Sequence, residues 1–160
     1  MILGGSKKEV IKNIKEAADT GRFNDKVETG DPELSTAQRK RLLGKYVKQR
    51  NELPYHYRNG MARRIVDIVT FGVNIRTKVV GAEKIKNIKT GAIITSNHFN
   101  PVDTTIVRYG IKKVRKYRMF IISQDTNFAM KGLVGFLMRY ADEIPISKDK
   151  EYMNRHFYRT

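Results

Sequence analysis

The chain has 160 residues, 40% of them apolar, enough for one domain with a hydrophobic core and too many for wholesale disorder. It has no cysteine, which removes disulfides, thiolate catalysis and cysteine-ligated zinc. Its 32 Lys and Arg against 16 Asp and Glu give a formal charge of +16, a surface for polyanions such as nucleic acid, anionic lipid or acidic substrates.

Along the chain, Val10, Ile11, Ile14, Ala17 and Ala18 recur at helical spacing and Gly21 follows as a stop, so a first helix is expected here. Residues 22–33 are polar, contain Gly30, Asp31 and Pro32, and read as a connector. Ser35 and Gln38 have the spacing of a capping box opening a second helix. Leu42, Leu43, Tyr46 and Val47 form its apolar stripe, and Arg39, Lys40, Arg41, Lys45, Lys48 and Arg50 its basic face, with Pro54 as terminator. A third helix is expected from about Arg58 to Phe71. After Gly72 the pattern changes. Val73–Val80 alternates like a strand, and Ala92–Thr95 and Tyr117–Ser123 read as buried strands. Val102–Tyr109 and Ala129–Tyr140 suit helices, and Ile144–Ser147 a last short strand. The expected fold is α/β: N-terminal helices, then a mixed, mainly parallel sheet flanked by helices. Residues 1–72 are expected to form a helical, membrane-associating region and 73–160 the first part of an α/β domain.

No apolar run is long enough to span a bilayer, because Arg, Lys or Asp interrupts each one. The opening MILGGSKKEV lacks the apolar core of a signal peptide. The expectation is a cytoplasmic protein, peripheral on the inner face of the cell membrane.

The segment richest in chemistry is Ser96-Asn97-His98-Phe99-Asn100-Pro101-Val102-Asp103. It follows a predicted strand and precedes a predicted helix, where open α/β sheets build their sites. Pro101 disfavours helix at Asn100 and suits the first helical position, which puts Asp103 in the first turn. With a turn between them, Asp103 can fold back toward His98 and accept from one imidazole nitrogen, leaving the other as a base. The plainer reading makes Asp103 a complement to the helix dipole and His98 a capping or core residue.

The flanks favour the first reading. An N-H-x-x-x-x-D pattern after a short apolar strand resembles the first motif of the glycerolipid acyltransferase family, the 1-acylglycerol-3-phosphate and lysophospholipid acyltransferases. Val79-Val80-Gly81-Ala82-Glu83-Lys84-Ile85 and Gly91–His98 resemble that family's lead-in. Lys131–Tyr140 resembles the helix before its second motif, and Ile144-Pro145-Ile146-Ser147-Lys148 that motif itself. The resemblance implies acyl transfer from acyl-coenzyme A or acyl-carrier protein to a glycerol hydroxyl of a lysophospholipid, lysophosphatidic acid above all. It implies His98 as base, Asp103 as its orienting partner, Asn97 as a positioning residue, and no cofactor beyond the acyl donor. Lys148 stands where the second motif usually has an Arg, and can hold a phosphate as a point charge though not bidentately. The family's third motif, a Glu-Gly-Thr, is not in the chain, so a C-terminally truncated domain with an incomplete sheet and weak activity is expected.

Other chemistries fit less well. His56 reads as a surface histidine and His156 as incidental. No G-x-S-x-G elbow, H-E-x-x-H or third ligand near His98 and Asp103 supports a serine hydrolase or a metal site, and Gly4-Gly5-Ser6-Lys7-Lys8 lacks P-loop spacing. The basic clusters, 39–50 and Lys112, Lys113, Arg115, Lys116 and Arg118, read either as solvated faces or as adhesion to an anionic membrane. The alternatives are a basic nucleic-acid-binding module, for which no recognised motif is present and no nucleic acid is expected, and a catalytically inactive lipid-binding relative.

Overall fold

The structure is a computed structural model and describes residues 7–23, 25, 27, 32–88, 90–97, 103–114 and 117–159. Helix α1 spans Lys7–Asp19, and the chain leaves it through Gly21 at φ 69. The expected helix is there, but Ile11 and Ile14 on its apolar face stay exposed. Helix α2, Thr36–Gln49, opens with the expected capping box: Ser35 Oγ accepts from the Gln38 backbone N–H at 3.3 Å, and Gln38 Oε1 accepts from Ser35 N–H at 2.9 Å.

Helix α3 runs Leu53–Asn74, longer at both ends than its apolar pattern suggested. Pro54 sits in its first turn, where a missing N–H costs no hydrogen bond, and so starts α3 rather than ending α2. At the far end Val73 and Asn74 belong to the helix, not to a strand. The Asn74 side chain donates to the Thr70 carbonyl at 2.9 Å and to Thr105 Oγ1 at 3.0 Å, which fastens the last turn. Residues 77–80 are without a ladder partner, so the expected Val73–Val80 strand does not form. Helix α4, Ala82–Ile85, is a single turn entered through Gly81 at φ 80, a conformation other residues rarely adopt.

Ala92–Thr95 departs most from expectation. It lies in 91–97, which carries no strand pairing, and Ile93 is 96% exposed. A strand needs a neighbour to receive its backbone hydrogen bonds, and β1 and β2 pair only with each other among the described residues.

Helix α5, Asp103–Val114, leads to strand β1, Ile121–Gln124, shorter than the expected Tyr117–Ser123. A 3-10 turn, Asp125–Ala129, and helix α6, Gly132–Tyr140, return the chain to strand β2, Glu143–Ile146. The strands are parallel, with Ile121 opposite Glu143 and Gln124 opposite Ile146, so β1–α6–β2 is a crossover unit. Helix α7, Lys150–Arg155, and a 3-10 turn at 157–159 close the described chain. The α/β class therefore stands on one parallel pair among many helices.

Two apolar clusters hold these elements together. Leu43 and Tyr46 of α2 pack on Phe128 and Tyr152, with Leu42 and Val47 alongside, so the predicted α2 stripe is the buried one. Tyr55 and Ala62 of α3 pack on Tyr140 and Ala141, with Val66, Phe136 and Leu137 around them. Gly135 is required where α6 passes the preceding loop, because a Cβ there would collide with the Met130 carbonyl.

Between the clusters lies a polar node. Asp142, at φ 65, carries a side chain only 2% exposed, which accepts from Arg118 at 2.7 Å and from the Asn59 amide at 2.7 Å and pairs with the Arg63 guanidinium at 3.2 Å. Asn59 also donates to the Tyr140 carbonyl at 2.7 Å. Burial pushes the Asp142 carboxyl up, but the hydrogen bonds from Arg118 and Asn59 and the charges of Arg118 and Arg63 outweigh it and hold it below the usual range. Asp142→Ala should destabilise the fold by roughly 2 kcal/mol or more in urea unfolding, since it leaves one N–H of the buried Asn59 amide and the guanidinium groups of Arg63 and Arg118 without their acceptor and places a Cβ residue without polar compensation at positive φ. Asp142→Asn should cost less, because Asn tolerates that backbone; equal losses would show that the node is not what holds this corner.

Candidate active site

The parallel pair gives the molecule two ends. Arg39, in the first turn of α2, donates to Asp125 at 2.7 Å just beyond the carboxyl end of β1, and Tyr46, two turns on, donates to the Glu143 carbonyl at 3.2 Å at the start of β2. Helix α2 therefore runs antiparallel to the strands. Helix α3 runs back, with Asn59 beside Tyr140 and Asp142 at the amino end of β2, and with Val66 gathered, like Phe136 and Leu137 of α6, around the cluster that contains Ala62. Its last turn, at Asn74, lies toward the carboxyl ends.

Asp103 is the first residue of α5, and the Asn74–Thr105 hydrogen bond fixes that first turn against the end of α3. Three further contacts hold α5 in place. Lys112 pairs with Asp67, the rings of Phe71 and Tyr109 meet edge to face at 5.4 Å, and buried Arg108 reaches the Ala141 carbonyl at 3.5 Å. The expected helix is described from Asp103 onward, while its expected start at Pro101, and His98, lie outside the described residues. Asn97 ends the exposed segment 91–97 on the other side of that gap. Lys148 is exposed in the turn between β2 and α7, braced by Ser147, which donates to Asp125, and by Asp149, which accepts from the Tyr152 N–H at 2.9 Å. Asp103 and Lys148 thus share the carboxyl end of the layer.

The basic clusters are less free than their sequence suggested. Arg39 is bound to Asp125 and Lys40 lies 3.6 Å from Glu151. In the second cluster Lys112 is taken by Asp67, Lys113 lies over the Tyr109 ring at 4.8 Å and Arg118 is held by Asp142; Arg115 and Lys116 fall outside the described residues. Among the described residues no group of three or more His, Cys, Asp or Glu could hold a metal, and no helix is long and apolar enough to cross a membrane.

A family model described as Acyltransferase matches residues 76–158, more than half of the chain. The chain belongs to the acyltransferase family. No curated protein and no solved structure matches it. The matched stretch contains the N-H-x-x-x-x-D motif, the β1–α6–β2 unit and Lys148. An acyltransferase of this family works on a lipid acceptor and an acyl donor in general terms.

The sequence reading missed the acids that organise the fold: Asp125, Asp142 and Glu143. A signal was present, since an acidic pair directly before an apolar strand is unusual in a chain this basic. Glu143 is buried and accepts from the Ser123 hydroxyl, with Arg108 nearby; burial pushes its carboxyl up to about 7 against those favourable contacts and with the repulsion of Asp142. A carboxyl raised in this way favours the fold fully below its unfolded value near 4.5 and loses that contribution as pH rises through about 7. Urea midpoints should therefore fall between pH 5 and about 7.5 in the native protein, and Glu143→Gln should flatten that slope; an unchanged slope would place Glu143 in water.

Proposed function

We propose that the chain is an O-acyltransferase that moves a fatty acyl group from acyl-coenzyme A or acyl-carrier protein to a glycerol hydroxyl of a lysophospholipid, with lysophosphatidic acid giving phosphatidic acid. The family match across the N-H-x-x-x-x-D motif carries this reading, and the placement of Asp103 at the carboxyl end of the strands supports it.

In the proposed reaction His98 takes the proton of the acceptor hydroxyl as the oxygen attacks the thioester carbonyl. The tetrahedral intermediate collapses with cleavage of the carbon–sulfur bond, and the proton held by His98 passes to the departing thiolate. Asp103 orients the imidazole and stabilises its charged form, which is worth most while the proton is in transit. Asn97 positions the acceptor and Lys148 attracts its phosphate.

The acceptor is a membrane lipid, and α3 offers a face that suits a membrane surface. Leu53, Tyr57, Met61, Ile68 and, just past the last turn, Ile75 are exposed at intervals of four or seven residues, so they form one stripe along the helix. Arg58, Arg64 and Arg76 are exposed on the same helix or just beyond it. Such a basic, apolar-striped helix lies in the interface plane and is attracted to anionic headgroups. In this reading residues 1–72 associate with the inner face of the cell membrane and 73–160 carry the acyltransferase unit.

Purified protein given lysophosphatidic acid in phosphatidylglycerol vesicles and either acyl donor should form phosphatidic acid. His98→Ala should lower the rate by about 100-fold or more, and Ile68→Glu should weaken vesicle binding. Transfer that survives in His98→Ala would remove the base from this account, and no transfer to any lysolipid by folded protein would remove the reaction.

A further inference from the structure

The amino end of the parallel pair, opposite the motif residues, holds a cleft of about 660 Å³. Arg118, Asp142 and Glu143 lie on its floor, and Arg50, His56, Arg155 and His156 are among the residues around it. It is far from the candidate acyl-transfer site. His56 lies in the first turn of α3 and Asn74, which touches the first turn of α5, ends that helix; eighteen residues at 1.5 Å each separate them by about 27 Å.

The charged groups of the floor are paired internally. Asp142 is matched by Arg63 and Arg118, and Glu143 accepts from Ser123 beside Arg108. Arg155 makes an exposed pair with Glu151 at 3.2 Å, an interaction that solvent screens and that a ligand can displace. Arg50 differs. It is half-buried, its guanidinium lies 5.4 Å from the centre of the Tyr46 ring, and Tyr55 and Tyr152 are close enough to feel its charge. Among the described residues no carboxylate pairs with it. A guanidinium drawn out of water onto aromatic rings, with no anion opposite, leaves its planar fork of donors available to one.

We propose that this cleft is a second ligand site, separate from acyl transfer, that takes a phosphate group, with Arg50 as its principal ligand and Arg155 as a second. Phosphate fits the donor set because a guanidinium meets two of its oxygens at once. The cleft has room for more than the phosphate, and Val47, Phe120 and Ile144 give it an apolar wall, so the ligand is an organic phosphate. Two sources share that chemistry: a soluble phosphomonoester and the headgroup of an anionic phospholipid. The second is within reach because Leu53 and Tyr57, where the exposed stripe of α3 begins, flank Tyr55 and His56 at the cleft.

The chain has 3 histidines, two of them at this cleft and the third in the motif, so imidazole proton resonances report on both ends separately. The probes are glycerol 3-phosphate, inorganic phosphate, dihexanoyl phosphatidylglycerol and dihexanoyl phosphatidylcholine, with chloride at matched ionic strength as control. A phosphate probe should shift His56 and His156 saturably, and Arg50→Gln should weaken that response by about tenfold or more. Arg155→Gln, at a side chain 71% exposed, leaves the fold intact and should weaken it several-fold, which guards against a folding defect in the first variant. A response to the free phosphates identifies a soluble ligand. A response to phosphatidylglycerol alone identifies the headgroup. Shifts that chloride reproduces, that neither substitution changes, or that are confined to His98 would overturn the proposal, as would no shift with any probe.

Discussion

Asp142 carries its carboxylate to a place that water barely reaches, on a backbone conformation most residues avoid, and groups from two distant parts of the chain close on it. Asn59 and Arg63 come from α3, and Arg118 from the approach to β1. Removing a buried charge from one side of such a node leaves the others unmatched, so the three segments are held together or not at all. The consequence is directional. With Asn59 and Arg63 fixed at the start of β2, α3 has one way to lie across α6, and its far end then meets α5 at Thr105. The position of Asp103, four turns of helix away, follows from a carboxylate at the opposite end of the sheet.

The same economy of acids explains how so basic a chain folds. Asp125, Asp67 and Asp142 each bind a cation from another element, joining α2 to the end of β1, α5 to α3, and both α3 and the approach to β1 to the start of β2. The cations they take are among those that a one-dimensional reading assigns to solvated or membrane-facing clusters. Other cations stay exposed on several elements, Arg41, Lys45 and Lys48 of α2 among them, and a further set lies along α3 beside its apolar stripe and around the cleft at Arg50. The membrane-surface and phosphate proposals rest on that further set rather than on the formal charge.

How much of this was legible follows from the range of each interaction. The capping box of Ser35 and Gln38, the α2 stripe and the helix that follows the motif depend on residues within one or two turns, and they were readable from spacing. The family resemblance was readable because its motifs are short and in order. Val73–Val80 and Ala92–Thr95 were misread because alternation and apolarity describe a surface fit for a sheet and say nothing of whether a neighbouring strand is there to pair. Asp142 was invisible for the same reason: its partners lie 24, 79 and 83 residues away, and no local pattern announces them. His98 lies outside the described residues, so the sequence alone speaks for it.

The central claim is that His98 and Asp103 act as one unit in acyl transfer. The direct test is a double-mutant cycle on kcat/KM with His98→Ala, Asp103→Asn and both together. If Asp103 works through His98, the double variant falls no further than His98→Ala alone. If the two losses multiply, Asp103 acts independently of the base, and the pairing on which this account rests is wrong.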